Sequence, residues 1–226
     1  MHRVSSLLGA TALATALLLR HDAARADLVF SLGTVFNGST PTSTPPWLTA
    51  TFHTVATGDV TLTLAASLNV ASEFIDDVAF NVDPTILPSS LTLTQSPLVD
   101  PKVTSFQNTT QNAQNLIGGG SAGSGFDVIL GWATAAGVGR FDGTDSVTID
   151  ITGGSITENS FNFTNTGSAN ATVAAHVQGI PPIPPGSSGA VMVTNGTIPE
   201  PGGLALIAVA MAGLGLAWRR KPGRKD

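Results

Sequence analysis

Apolar and polar residues alternate most cleanly in two neighbouring stretches, residues 47–55 (Trp-Leu-Thr-Ala-Thr-Phe-His-Thr-Val) and 60–66 (Val-Thr-Leu-Thr-Leu-Ala-Ala). Successive side chains of a strand point to opposite faces, so this spacing predicts two strands, each with one buried and one wet face. Thr57-Gly58-Asp59 between them is turn chemistry, and the pair is expected to close as a β-hairpin. Further strands are expected at residues 28–36, 74–82, 91–95, 126–132, 146–151, 160–164, 171–177 and 190–194, with Asp83-Pro84 ending the third of the early ones. Residues 37–46 read as a Gly/Ser/Thr/Pro loop. The run Gly118-Gly-Gly-Ser-Ala-Gly-Ser-Gly125 lacks the side chains that fix a conformation and reads as a flexible loop inside the domain. No amphipathic helical pattern of ten residues or more interrupts these segments. The expected fold is therefore all-β, a sandwich of nine or ten short strands for which a jelly roll is one arrangement.

The two ends follow another pattern. Met1-His2-Arg3 precedes an uncharged Leu- and Ala-rich stretch over residues 4–19, and Ala24-Arg25-Ala26 precedes Asp27. A basic start, an apolar centre and small residues at Ala24 and Ala26 make a secretory signal peptide, residues 1–26, to be cut by signal peptidase after Ala26. At the other end residues 202–218 hold no charge and run directly into Arg219-Arg220-Lys221. A helix of that length spans about 26 Å, enough for the short end of the bilayer range. The basic cluster would stop transfer and remain cytoplasmic, with Trp218 at the interface. Both ends thus place residues 27–198 outside the inner membrane.

Pro199-Glu200-Pro201 stands just before the apolar stretch. Proline fixes its own φ and biases the residue before it toward extended backbone, so the tripeptide offers an open strip to a processing enzyme. Pro-Glu-Pro, apolar helix and Arg-Arg-Lys in that order resemble the PEP-CTERM sorting signal of Gram-negative, often exopolysaccharide-producing bacteria. The resemblance covers residues 199–226. It implies transient inner-membrane insertion, cutting by a membrane-embedded exosortase, and a final place at the cell surface or outside the cell. Residues 46–52, 126–130, 141–147 and 175–180 also look like stretches shared by a group of exported proteins with this tail, which adds no activity.

Composition sharpens the contrast between body and ends. Residues 27–198 carry twelve Asp and Glu against Lys102 and Arg140 alone, a net charge of −10, where the whole chain has −5. Such a body repels nucleic acid and anionic lipid, which excludes both as ligands. Cysteine is absent, so stability must come from core burial rather than disulfides.

Candidate chemistry is sparse. The body has two histidines, His53 and His176. His176 is the better candidate, because period two puts His176 and Gln178 on one face; the plainer alternative is a hydrogen-bonded sheet residue. Carboxylates gather at Glu73, Asp76, Asp77 and Asp83 and again at Asp142, Asp145 and Asp150. Asp76, Asp77, Asp142 and Asp145 are the metal candidates, with calcium the cation that acidic loops would suit, although such residues are more often turn formers and solvated charges. No cofactor is otherwise expected. Glu73 and Asp77 would share a face of a regular strand, the arrangement of a glycoside-cleaving pair, but the body has no Tyr and few aromatic residues to build a sugar platform. No nucleophile elbow, phosphate loop or His-Glu-x-x-His motif is present. The expectation is a non-enzymatic exported protein, structural or adhesive in exopolysaccharide or biofilm. A carbohydrate- or calcium-binding module is the first alternative and a secreted hydrolase the second.

Overall fold

The computed structural model describes residues 26–68, 72–116, 123–135, 139–181 and 188–193. Fourteen strands occur among them: β1 (Leu28–Leu32), β2 (Thr34–Asn37), β3 (Leu48–Ala56), β4 (Asp59–Ala66), β5 (Phe74–Phe80), β6 (Thr92–Gln95), β7 (Ser105–Gln107), β8 (Gln114–Asn115), β9 (Ser124–Phe126), β10 (Val128–Gly131), β11 (Phe141–Asp142), β12 (Ser146–Thr152), β13 (Val173–Gln178) and β14 (Ser188–Val193). One sheet has the order β1-β3-β4-β12-β6. A larger one runs β2-β14-β13-β5-β10-β7, with β11 also paired to β5, and β8 and β9 form a separate ribbon. Every pairing is antiparallel. The protein is all-β, and residues Asp27–Pro199 form a compact unit of their own.

The β3–β4 hairpin shows why the chain folds this way. Leu48, Ala50, Phe52, Val60, Leu62, Leu64 and Ala66 are buried while Thr49, Thr51, Thr61 and Thr63 between them are partly exposed, as period-two alternation requires. Gly58 closes the turn at φ +89°, a conformation that a Cβ disfavours. The apolar faces of this sheet meet Ile75, Val78, Phe80, Val128, Leu130, Val173, Ala175 and Val177 of the larger one in a single core. Its centre is aromatic: Phe52 stacks on Phe161 at 4.6 Å and meets Phe80 edge-on at 5.5 Å.

The larger sheet is covered on its other face as well. Ala79, Ile129 and Ala174 pack there with Leu116, Phe126 and Ala171 in a second apolar cluster, to which the β8–β9 ribbon contributes Phe126. Two covered faces explain why β5 is buried along its whole length and shows no clean alternation in sequence.

Four expectations are corrected. Residues 28–36 are two strands in different sheets, because the chain crosses between them at Gly33. Residues 160–164 are not a strand: Glu158–Phe161 is a 3₁₀ turn closed by a reciprocal Thr157–Ser160 capping box. The polar stretch before residue 116 carries β7 and β8, and Ser124 and Gly125 of the presumed loop belong to β9. Residues 118–122 of that loop, the signal peptide up to residue 25, and the tail from residue 194 lie outside the described residues. Among the described residues no helix is long and apolar enough to cross a membrane.

Candidate functional site

Strand register lays two rows of side chains across the covered outer face of the larger sheet. Ala174, Ala79 and Ile129 are mutual cross-strand partners and form the apolar row. The next row along is His176 in β13, Asp77 in β5, Gly131 in β10 and Ser105 in β7. Val173, Ala175 and Val177 point into the main core, so His176 and Gln178 between them face the other way.

A β-bulge adds a second carboxylate to this row. His176 pairs with Asp77 but Val177 pairs with Ile75, which leaves Asp76 as an extra residue in β5. A bulge interrupts the alternation and re-aims side chains, so the adjacent Asp76 and Asp77 both reach His176 rather than pointing to opposite faces. On the other side of β5 the ladder with β10 continues unbroken, the Asp76 carbonyl accepting from the Trp132 N–H at 2.7 Å. Ligand-type atoms of Asp76, Asp77 and His176 all lie within 4.8 Å of one another, and this is the only such group of three or more His, Cys, Asp or Glu among the described residues. Gly131 makes room for it: a Cβ there would overlap Ser105 Oγ and stand 3.2 Å from Asp77 Oδ1.

The group is buried, with His176 exposed to only 2% and Asp76 to 4%. His176 Nδ1 lies 2.8 Å from Asp76 Oδ1, yet neither atom makes a hydrogen bond, nor does His176 Nε2. The contact is one of proximity without N–H alignment. The Gln178 side-chain amide donates to the other oxygen, Asp76 Oδ2. Two other buried carboxylates, Asp127 and Glu158, have both oxygens engaged, whereas Glu73 Oε2 is without a hydrogen-bond partner. Asp127 accepts from the Val82 and Asn112 backbone N–H groups at 2.9 and 2.6 Å, one on each oxygen. Glu158 accepts from the Thr54 hydroxyl on one oxygen and from Asn159 Nδ2 at 3.0 Å on the other.

Burial pushes the Asp77 carboxyl up to about 6, with the neighbouring Asp76 charge adding to the rise and His176 opposing it. A carboxyl raised from 3.8 to about 6 by folding stabilises the fold fully below pH 3.8 and loses that contribution as pH rises through 6. In chelator-treated protein, Asp77→Asn is therefore expected to melt higher than wild type at pH 7, with the advantage shrinking toward pH 4. Paired thermal melts across that range check it, and an advantage independent of pH would contradict it.

The other candidates fall elsewhere. His53 is exposed on β3 and pairs with Asp27 through Nδ1 at 2.6 Å, in the sheet opposite His176. Glu73 precedes β5, where its Oε1 accepts from the Thr42 N–H and hydroxyl at 2.8 and 3.0 Å; the bulge breaks the regular alternation that would have matched it with Asp77. Asp142 and Asp145 close a tight turn, with Asp145 Oδ2 accepting from the Asp142 N–H at 3.1 Å, and they do not join the Asp76 group. Burial and the Asp145 charge raise the Asp142 carboxyl, while Arg140 lowers it. Ala26 stands just before β1, whereas Ala24, Pro199, Glu200, Pro201, Arg219, Arg220 and Lys221 lie outside the described residues. Gly131, which makes room for this group, is signalled in the sequence only as a glycine that ends the apolar strand Val-Ile-Leu-Gly.

The family model of the PEP-CTERM protein-sorting motif matches residues 197–221. The chain carries this exosortase-directed signal near its C-terminus, as the resemblance of residues 199–226 implied. No curated protein and no solved structure matches the chain.

Proposed function

We propose, from the PEP-CTERM sorting motif at residues 197–221, that the chain is a non-enzymatic protein of the cell surface or extracellular matrix, structural or adhesive within exopolysaccharide. Signal peptidase removes residues 1–26 and an exosortase processes the tail at the membrane. The two-sheet body is the β-sandwich cargo. Its acidic, cysteine-free composition suits a soluble matrix component. His176 does stand against a carboxylate, as a hydrolase requires, but its 2% exposure keeps a polymer substrate from it and favours a structural role for the group.

The sorting motif carries this reading, and deleting Pro199-Glu200-Pro201 tests it. Fractionation of the exporting host should find the deleted protein retained in the inner membrane while the intact chain is released or surface-bound. Unchanged release of the deletion variant would overturn it.

A further inference from the structure

We propose that Asp76, Asp77 and His176 bind one first-row divalent transition-metal ion, with zinc as the representative, and that this ion clamps β5 to β13. The inference does not depend on how the chain is sorted.

Three observations carry it. The bulge brings two carboxylates and an imidazole from adjacent strands to one point, with all ligand atoms within 4.8 Å. His176 is buried with both ring nitrogens unpartnered, and its Nδ1 sits 2.8 Å from Asp76 Oδ1 without hydrogen-bond alignment, as two ligands aimed at a common point would. Unpartnered buried polar atoms are costly, and one ion would satisfy His176 Nδ1 and Asp76 Oδ1 together. Gln178 meanwhile holds Asp76 Oδ2, the kind of outer contact that orients a ligating carboxylate.

The charge balance points the same way. The body has only Lys102 and Arg140 as basic residues, and Arg140 lies over the Phe74 ring at 3.9 Å and donates to the Thr134 carbonyl. A divalent cation would neutralise the two carboxylates where no lysine or arginine does.

The donor set selects the metal. Imidazole with carboxylates suits zinc and its neighbours, three protein ligands being enough when water takes a fourth position. Calcium takes six to eight oxygen ligands and gains little from an imidazole nitrogen. Of the four metal candidates in the sequence, Asp76 and Asp77 thus belong to the proposed site, with His176 as the third ligand and zinc rather than calcium as the ion.

The test uses the full-length chain, purified in detergent without a polyhistidine tag and stripped with chelator. Elemental analysis after zinc loading and gel filtration should return about one zinc per chain. The melting temperature should rise by roughly 5–10 °C at a hundredfold excess over Kd, and calcium at the same concentration should leave it unchanged. His176→Gln and Asp77→Asn should each weaken zinc binding at least tenfold while keeping the far-ultraviolet dichroism of the wild type. His53→Gln, which alters the exposed His53–Asp27 pair, should bind zinc as the wild type does. Sub-stoichiometric zinc in the wild type, stabilisation by calcium instead of zinc, or undiminished zinc binding in folded His176→Gln would each overturn the proposal.

Discussion

Phe52→Ala is expected to lower the unfolding free energy by about 3–5 kcal/mol, the range for emptying a buried aromatic position. Phe52 is fully buried in β3 between Leu28 of β1 and Leu62 of β4. Its ring reaches further than its own sheet. It stacks on Phe161 of the 3₁₀ turn at 4.6 Å and 12°, meets Phe80 of β5 edge-on at 5.5 Å, and meets Phe30 of β1 at 6.1 Å. Phe161 and Phe80 also touch, at 5.8 Å, so the three rings form a closed cluster across both sheets. Truncation removes apolar burial from all of them and leaves a cavity that rigid strands cannot collapse to fill. Val55, three residues along and 59% exposed, supplies the control: Val55→Ala should stay within roughly 0.5 kcal/mol of wild type. Urea unfolding of both variants decides the matter. A loss below about 1 kcal/mol at Phe52 would mean that this cluster does not hold the sheets together.

Gly179→Ala is expected to cost roughly 2–4 kcal/mol, from a left-handed backbone that disfavours Cβ and from forced overpacking. Gly179 follows β13 at φ +74°, and a Cβ built there would overlap the Ser72 carbonyl just before β5. Backbone has to move to admit it. Since Gln178 pairs with Phe74, that movement shifts the start of β5 relative to β13, two residues from the Asp76–His176 contact. Zinc affinity should therefore fall along with stability. Gly143 separates the two contributions, having φ +53° but nothing within 4 Å of its added Cβ. Gly143→Ala should show the conformational cost alone, about 1 kcal/mol, with zinc binding intact. Equal losses at the two glycines in thermal melts would refute the steric argument.

Much of the fold was legible because its physics is local. Thr-rich alternation over residues 47–66, with Gly58 between, dictates a hairpin wherever one face is buried, and β3 and β4 pair as that pattern requires. Legibility fails where burial is two-sided. Phe-Ile-Asp-Asp-Val-Ala-Phe of β5 gives no alternation because both faces are covered, and the stretch before it gives no hint of a bulge. Ser-Phe-Asn-Phe-Thr over residues 160–164 looks extended, yet the Thr157–Ser160 capping box draws its first two residues into a 3₁₀ turn, a spacing signal visible in the chain but outweighed by strand-like composition.

For the candidate site the division is sharper. His176 and Gln178 share a face because they are two residues apart, and local spacing was enough to show it. That Asp77 stands opposite His176, a hundred residues away in the chain, depends on which strands become neighbours, and residue spacing holds no information about that. Asp76 joins them only through the bulge, and Gly131 matters only because β10 lies alongside. Sequence by itself determined the sorting signal, since the motif is a run of neighbouring residues recognised by their order along the chain. It also determined the all-β class and the acidic body, which follow from periodicity and charge. Tertiary structure alone decided that two carboxylates and one imidazole converge, because convergence is a property of strand register across a sheet.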